Sequence, residues 1–209
     1  MSTSFLTKIR REHAEKKAVK AFHAIPLSPE DIAIDCGANV GKITEYLGRN
    51  GSAVYAFEPN KDAFKELASR FRNNPNIHCI NKGVSTSNST AKLFLHKNAA
   101  ENPVRWSTGS SIIQEKGNVD PDNYEEIVLV DLAEFIRALN RKVKLLKIDI
   151  EGAECDLLRK MILDNTIELA EHIFVETHDH KIPELKQATD EIRKLIRSRN
   201  IRHINLDWT

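Results

Sequence analysis

Residues 31–42 have the sequence Asp-Ile-Ala-Ile-Asp-Cys-Gly-Ala-Asn-Val-Gly-Lys. The apolar beginning predicts a buried strand, and the two glycines predict a tight turn into a helix. Gly37 and Gly41 have no Cβ atom to obstruct a ligand, and the first backbone N–H groups of a helix are free to bind one. Asp35 lies at the end of the strand. This stretch therefore predicts an α/β fold with a nucleotide-like ligand at the turn.

The spacing within the turn separates two kinds of ligand. A dinucleotide fingerprint needs G-x-G-x-x-G to hold a pyrophosphate, whereas this turn has Asp35-x-Gly37-x-Asn39-x-Gly41. With Asn39 in place of the middle glycine and carboxylates nearby, the turn favours a ligand without phosphate, such as the amino-acid and ribose portions of S-adenosylmethionine. A plain structural turn is the alternative interpretation of a lone G-x-x-x-G.

A second apolar segment, residues 53–58, predicts another strand, which ends at Glu58 before Pro59. An acidic residue at the tip of the second strand, about 20 residues after the glycine turn, is placed to accept hydrogen bonds from both ribose hydroxyls of an adenosine. A solvated carboxylate at a strand end is the alternative.

Composition and charge narrow the class of protein. The 209 residues suit one compact domain, and no apolar run is long enough to span a membrane. Because 31 basic residues stand against 30 acidic ones, nucleic acid is not favoured as a partner. The N-terminus lacks an apolar signal core, and Cys36, Cys79 and Cys155 match neither a metal spacing nor a disulfide framework. We therefore expect a cytoplasmic protein.

The N-terminal segment is predicted to be a basic helix, residues 1–24, packed on a domain formed by residues 25–209. Between residues 8 and 20, six basic side chains outnumber Glu12 and Glu15. We interpret this basic run as the solvated face of a surface helix. Contact with a phosphate-bearing substrate or RNA is the alternative. The apolar residues expected to dock this helix are Phe5, Ile9, Val19 and Phe22.

Apolar strand candidates alternate with helical patterns along the chain, which predicts a mostly parallel sheet flanked by helices. The strand candidates are residues 32–36, 53–58, 77–81, 143–150, 172–178 and 201–206. Helices are predicted at residues 61–72, from Asp131 onward with Glu134 completing an acidic capping box, and near residues 184–199.

Residues 97–126 interrupt this alternation with a polar stretch that contains Trp106 and the small-residue run Ser107–Ser111. Loops of this length are commonly functional or disordered. Two interpretations stay open: a wall or lid over the cofactor that binds the acceptor, or a surface excursion that contains a strand.

The segment 143–151 departs from the unbroken hydrophobic pattern of a central parallel strand. Lys147, Asp149 and Glu151 alternate with isoleucines, so an extended conformation would place all three charges on one side at the carboxyl edge of the sheet. Ligands of open α/β sheets bind at this edge, so cofactor and acceptor are expected to meet there. An ion pair that pins the strand end is the structural alternative.

The segment 172–178 repeats the pattern, with Glu176 and His178 at its end. A histidine near its usual pKa can take a proton from an acceptor hydroxyl, and carboxylates can do so or hold a divalent ion. Whether a metal is held there stays open, and a lone histidine at a strand end is often structural.

Four segments together resemble the FkbM-type methyltransferases, which are class I S-adenosylmethionine-dependent enzymes. The most specific is Leu146–Glu154, with the pattern K-x-D-x-E-G-x-E, and the resemblance extends over residues 31–180. The other three are Asp35–Gly41, Phe57–Pro59 and Val175–His178. The resemblance implies a Rossmann-like class I methyltransferase fold, S-adenosylmethionine as cofactor, and O-methylation of a hydroxyl on a sugar or small metabolite.

The resemblance also implies roles for individual residues. The methionine end of the cofactor would be lined by Asp35, Gly37, Asn39 and Gly41; Glu58, with Pro59 beside it, would hold the ribose; Gly83 and Val84 would lie beside adenine, and Asp149 near the cofactor. The catalytic candidates are Lys147, Asp149, Glu151 and His178, beside Glu154 of the same motif, with base, orienting group and metal ligand unassigned among them.

One departure from the family concerns the C-terminal region, where the closing hairpin is expected to be shortened to one strand. This leaves the edge of the sheet, and with it a possible homodimer, undetermined. Two other functions remain as alternatives: a catalytically silent domain that binds a partner or RNA, and an NAD-dependent oxidoreductase that uses the same glycine turn.

Overall fold

The structure is a computed structural model that describes residues 3–113, 117–179 and 182–208, with the side chains of residues 3–8 and of Thr108 left undescribed. The helices are α1 Thr3–His23, α2 Lys42–Gly48, α3 Lys61–Phe71, α4 Pro103–Trp106, α5 Leu132–Ala138, α6 Glu154–Leu163 and α7 Lys186–Ser198. The strands are β1 Ile32–Cys36, β2 Ala53–Phe57, β3 Ile77–Ile80, β4 Gly83–Ser85, β5 Ser89–His96, β6 Val119–Asp131, β7 Val143–Ile148, β8 Ala170–Val175 and β9 Ile204–Asn205.

The main sheet has the order β3-β2-β1-β7-β8-β9, and all of its described pairs are parallel. The chain moves outward from β1 in one direction and outward from β7 in the other, so the order reverses between these two strands. In open α/β sheets this switch point is where ligands bind, beyond the carboxyl ends of the strands. The predicted Rossmann-like fold is confirmed, including the short single closing strand β9.

Helices cover both faces of this sheet, so its central strands are buried on both sides. Every residue of β1 is buried, with Ile32 and Ile34 in one apolar cluster and Ala33 in the other. Strand β7 likewise buries Leu146 on one face and Leu145 on the other. This is why most residues of both strands are hydrophobic, with Asp35 in β1 and Lys144 and Lys147 in β7 as the charged exceptions.

A second, three-stranded sheet with the order β4-β6-β5 was not predicted. Strand β5 was not among the predicted strands. Strand β6 begins at Val119, inside the predicted loop 97–126. Six of the 13 residues of β6 are exposed, and the strand contains the weak strand formers Asp120, Pro121, Asp122 and Asn123. The following helix begins as predicted, because the Asp131 carboxylate accepts a hydrogen bond from the N–H of Glu134.

Helix α1 packs on the sheet at its C-terminal end. Ala18 and Phe22 are fully buried, and the Phe22 ring lies 5.2 Å from that of Phe174 and 4.2 Å from that of Trp208. Ile9, which was expected to dock the helix, is instead 46% exposed. The Phe5 side chain lies outside the described part of the structure.

Phe22→Ala should lower the free energy of unfolding by about 3–5 kcal/mol, since it removes a fully buried aromatic side chain. Ile9→Ala on the same helix is the matched control and should change it by less than about 0.5 kcal/mol. Urea unfolding followed by circular dichroism measures both. Equal effects of the two substitutions would show that α1 is not anchored through Phe22.

Candidate active site

A cleft lies beyond the carboxyl ends of β1, β2 and β7, and the small sheet closes its far side. Its open space, counted out to the mouth, is about 740 Å³. The main sheet and its loops contribute Gly37, Asn39, Phe57, Glu58, Pro59, Asn60, Asp149, Ile150, Glu151 and Ala153. The small sheet and the segment 107–112 contribute Gly83, Val84, Leu93, Ser107, Ser110, Ser111, Ile112, Ile127 and Leu129.

The glycine turn is held against the loop that follows β7. Gly37 has φ +77°, and a Cβ atom at this position would lie 1.9 Å from the backbone oxygen of Asp149. The N–H of Asp149 donates to the carbonyl of Cys36 at 3.1 Å, which joins the two segments directly. At Gly41, φ is +87° and a Cβ would meet Phe71 and Leu67 of α3. Both glycines therefore allow close packing of the protein on itself, and of the two only Gly37 lines the cleft.

Glu58 follows β2 and is almost fully buried at the edge of the cleft. Its Oε2 accepts a hydrogen bond from the N–H of Asn39 at 2.7 Å, and its Oε1 accepts one from the N–H of Asn60 at 2.8 Å. Burial raises the pKa of Glu58 to about 7, although these two hydrogen bonds oppose the shift. The carboxyl group therefore titrates near neutral pH.

Lys147 joins the ends of β1 and β7. The residue is only 3% exposed, and its ammonium group donates to the carbonyls of Cys36 at 3.2 Å and Gly37 at 2.8 Å. It also lies 3.3 Å from Asp35 Oδ1 and 3.4 Å from Asp149 Oδ2. Burial lowers the pKa of Lys147, but the two carboxylates outweigh this effect and hold the pKa above its usual value. Lys147 is therefore a permanent cation.

Asp149, Glu151 and His178 meet beyond the strand ends, but not for the reason expected. Strand β7 ends at Ile148, and Glu151 has φ +58°, so the prediction of a strand that stays extended through Glu151 is wrong. Strand β8 likewise ends at Val175, before Glu176 and His178. Loop conformation, not strand alternation, brings these side chains together.

Glu154 stabilises the turn that orients Glu151. Its Oε1 accepts from the N–H of Ile150 at 2.9 Å and of Gly152 at 3.2 Å, while its Oε2 accepts from Gly152 at 3.1 Å. The hydroxyl of Ser111 donates to the carbonyl of Glu151 at 2.7 Å. Together these hydrogen bonds hold the backbone of Glu151 in the left-handed conformation, which residues other than glycine rarely adopt.

His178 is buried behind the carboxylates. Its Nε2 lies 3.2 Å from Glu151 Oε2, 3.6 Å from Asp149 Oδ1 and 3.8 Å from Glu176 Oε1. Its Nδ1 lies 3.1 Å from Glu154 Oε1. Burial lowers the pKa of His178, but Glu154, then Glu151 and Asp149, outweigh burial and raise the pKa above its usual value.

The structure therefore divides the predicted residues into two groups. Those that line the cleft are Gly37, Asn39, Glu58, Pro59, Gly83, Val84, Asp149 and Glu151. Those that stand behind this lining are Asp35, Gly41, Lys147 and His178, together with Glu154.

The opposite wall of the cleft was predicted only in part. Ser107, Ser110 and Ser111 lie in the segment 97–126, for which a wall over the cofactor was one of the two interpretations, and they line the cleft. Sequence reasoning missed Leu93, Ile127 and Leu129 of the small sheet, which form the rest of this wall. The side-chain amide of Asn39 donates to the Ser107 hydroxyl at 2.8 Å, which connects this wall to the glycine turn. The spacing of Ile127 and Leu129 two residues apart is the signal that could have indicated an inward-facing strand.

The parallel sheet, the cleft at its switch point and the acidic residue after the second strand define a Rossmann-like protein that binds a nucleoside-containing cofactor. The model of the Methyltransferase FkbM domain matches residues 35–202. The chain belongs to this family, whose members use S-adenosylmethionine. The NAD-dependent oxidoreductase considered from the glycine turn is thus not supported.

Two proteins named as methyltransferases are similar to this chain. Methyltransferase 1 of Beauveria bassiana (strain ARSEF 2860) is 25% identical over 193 residues, covering 81% of this chain and 73% of that protein. Ribosomal RNA small subunit methyltransferase A of Thermotoga maritima (strain ATCC 43589 / DSM 3109 / JCM 10099 / NBRC 100826 / MSB8) is 32% identical over 63 residues, covering 30% of this chain and 23% of that protein.

Two further expectations concern the membrane and the cysteines. Among the described residues, no helix combines the length and apolar character needed to cross a membrane. Cys36, Cys79 and Cys155 are free thiols.

Lys147→Met should lower the free energy of unfolding by about 3–5 kcal/mol, because it leaves the buried Asp35 carboxylate without its cation. Adding Asp35→Asn should recover part of this loss, which urea unfolding of the two single variants and the double variant measures. Additive losses would contradict a direct Lys147–Asp35 interaction.

Proposed function

We propose that this protein transfers the methyl group of S-adenosylmethionine to a hydroxyl group of a sugar or another small metabolite. The observation that carries the proposal is that one cleft contains both the glycine turn with Glu58 and the carboxylates Asp149 and Glu151. A cofactor bound at the first group would present its reactive end to an acceptor at the second.

The cleft fits the nucleoside part of the cofactor. Glu58 offers a carboxylate to the ribose hydroxyls, and the apolar side chains of Val84, Ile127 and Leu129 suit the faces of an adenine ring. Ser110 supports the fit, because its hydroxyl is buried in the cleft lining and makes no hydrogen bond within the described residues. Such a group gains a partner when a polar ligand binds.

The glycine turn would hold the methionine part. Gly37 and Asn39 line the cleft, whereas Asp35 and Gly41 act from behind it. Asp35 accepts a hydrogen bond from the Thr44 hydroxyl at 2.7 Å and pairs with Lys147, so its role is to hold the turn in shape. Pro59 and Gly83 complete the wall on the adenine side.

Bound S-adenosylmethionine supplies an electrophilic methyl group on a sulfonium centre. The protein then has to align the acceptor hydroxyl and receive its proton, and alignment alone can be worth several kcal/mol, on the order of 7. Asp149 contacts the glycine turn through its backbone and also lines the cleft, so we assign its carboxylate to orient the hydroxyl and accept the proton. Glu151 lies beside it in the same lining.

Lys147 and His178 are assigned supporting roles. Lys147 stays protonated and fixes one oxygen of Asp149, so it is a positioning residue and not a base. His178 reaches the cleft only through Asp149 and Glu151, because its side chain is buried behind them.

The affinity for S-adenosylmethionine should fall below about pH 7, because the protonated Glu58 loses an acceptor for the ribose hydroxyls. Each pH unit below 7 should raise the dissociation constant about tenfold. Calorimetric titration between pH 5.5 and 8 measures this profile. Glu58→Gln should bind weakly with a flat profile, while Asp62→Asn, outside the cleft lining, should keep the wild-type profile. A wild-type profile identical to that of Glu58→Gln would rule out the assigned role.

Asp149→Asn should lower kcat by about 10²–10⁴-fold, while its dissociation constant for S-adenosylmethionine changes only a few-fold. The assay is transfer of radiolabelled methyl to a panel of sugars and hydroxylated metabolites. Asp156→Asn, an exposed acid in the first turn of α6, is the control and should retain full activity. Unchanged turnover in a folded Asp149→Asn protein would exclude Asp149 as the base, and S-adenosylmethionine binding without any transfer would favour the silent, partner-binding alternative.

A further inference from the structure

We propose that Asp149, Glu151 and His178 bind one divalent cation at the carboxyl ends of β7 and β8. Each residue offers one ligand atom, and the three atoms lie within 4.8 Å of one another. Binding of the cation stands on this geometry alone, whereas its role in catalysis rests on the proposed methyl transfer.

Two of the spacings between the ligand atoms are close to those around a coordinated ion. His178 Nε2 lies 3.2 Å from Glu151 Oε2 and 3.6 Å from Asp149 Oδ1. Neighbouring ligands on an octahedral cation with bonds of about 2.1 Å are about 3 Å apart. Small side-chain movements would therefore bring both carboxylate oxygens to the distance from Nε2 that a shared ion requires.

His178 supplies an observation that is independent of the acidic groups. Its side chain is 1% exposed, and neither ring nitrogen makes a hydrogen bond of acceptable geometry within the described residues. Nδ1 faces Glu154 at 3.1 Å, which leaves Nε2 directed at Asp149 and Glu151. A carboxylate on one ring nitrogen with the ion on the other is the usual arrangement of a metal-binding histidine.

The local charge also favours a cation. Three carboxylates, those of Asp149, Glu151 and Glu176, lie within 3.8 Å of His178 Nε2. Lys147 approaches Oδ2 of Asp149, on the side away from the histidine. These carboxylates would attract a divalent ion placed beside Nε2, and a proton on His178 is the competing positive charge.

The ligand set identifies the kind of ion. Two carboxylates and one imidazole without thiolate suit a hard or borderline cation, and the imidazole favours Mn²⁺ over Mg²⁺. Asp149 and Glu151 line the cleft, so the remaining coordination positions would face the acceptor. There the ion would lower the pKa of the acceptor hydroxyl while the Asp149 carboxylate stays within reach of its proton.

The test is a titration of the purified protein with Mn²⁺ alone, followed by calorimetry and by the electron paramagnetic resonance signal of free Mn²⁺. Wild type should bind one ion per chain. Asp149→Asn, Glu151→Gln and His178→Asn should each weaken binding at least tenfold. The controls are Asp156→Asn, an exposed acid on α6, and His172→Asn, a partly buried histidine of β8, and both should bind like wild type.

Two results would overturn the cation site: no saturable binding at millimolar Mn²⁺, or unchanged affinity in Glu151→Gln and His178→Asn. If His178→Asn does not fold, the affinity of Glu151→Gln for Mn²⁺ decides whether the cation site exists. The Glu151 side chain is partly exposed, so this substitution is expected to leave the fold intact. S-adenosylmethionine binding, measured on the same preparations in chelator, separates the two proposals. If the wild-type protein binds S-adenosylmethionine but no Mn²⁺, only the cation site is refuted. If it binds Mn²⁺ but no S-adenosylmethionine, the result counts only against the proposed function.

Discussion

The buried ammonium group of Lys147 is the interaction on which the arrangement of the cleft depends. It binds the carbonyls at the end of β1 and the carboxylates of Asp35 and Asp149 at the same time, at the point where the strand order reverses. Burying these charges is costly unless each of them has partners, so removing either the cation or a carboxylate would leave a buried charge uncompensated. Because the glycine turn and the loop after β7 meet on this one group, the two parts of the cleft that we propose to hold cofactor and acceptor have a fixed relation to each other.

The second constraint on the site is the small sheet, which lies opposite the carboxyl edge of the main sheet and so encloses a cleft there. Leu93, Ile127 and Leu129 provide the apolar wall opposite Glu58, and the bond from Asn39 to Ser107 attaches that wall to the glycine turn. Ser111 continues the contact to the backbone of Glu151. The small sheet and the segment 107–112 therefore contribute to both ends of the cleft. Since a main sheet of this kind occurs in proteins of many functions, we propose that these two elements select the acceptor.

Much of this could be predicted from local patterns. The segments 32–36, 53–58 and 143–150 are short, mainly apolar runs with charged residues near their ends, and the Asp131 cap is a signal contained in four residues. Both kinds of signal are local, so these elements were predicted near their observed positions. The small sheet was missed because its strands are half exposed and contain turn-forming residues. The prediction that Ile9 docks helix α1 was wrong for a related reason. When most of a helix surface is polar, the sequence does not show which of its few apolar residues packs against the domain.

The sequence by itself determined the parallel sheet, the glycine turn and the set of charged residues available at the strand ends, because burial and backbone conformation constrain residue type locally. Only the tertiary structure decided which of these residues reach the cleft. Strand alternation predicted one row of charges, but the left-handed turn at Glu151, held by Glu154, directs the carboxylates toward His178 instead. The packing of the loops after β7 and β8, which are distant in the sequence, sets that direction.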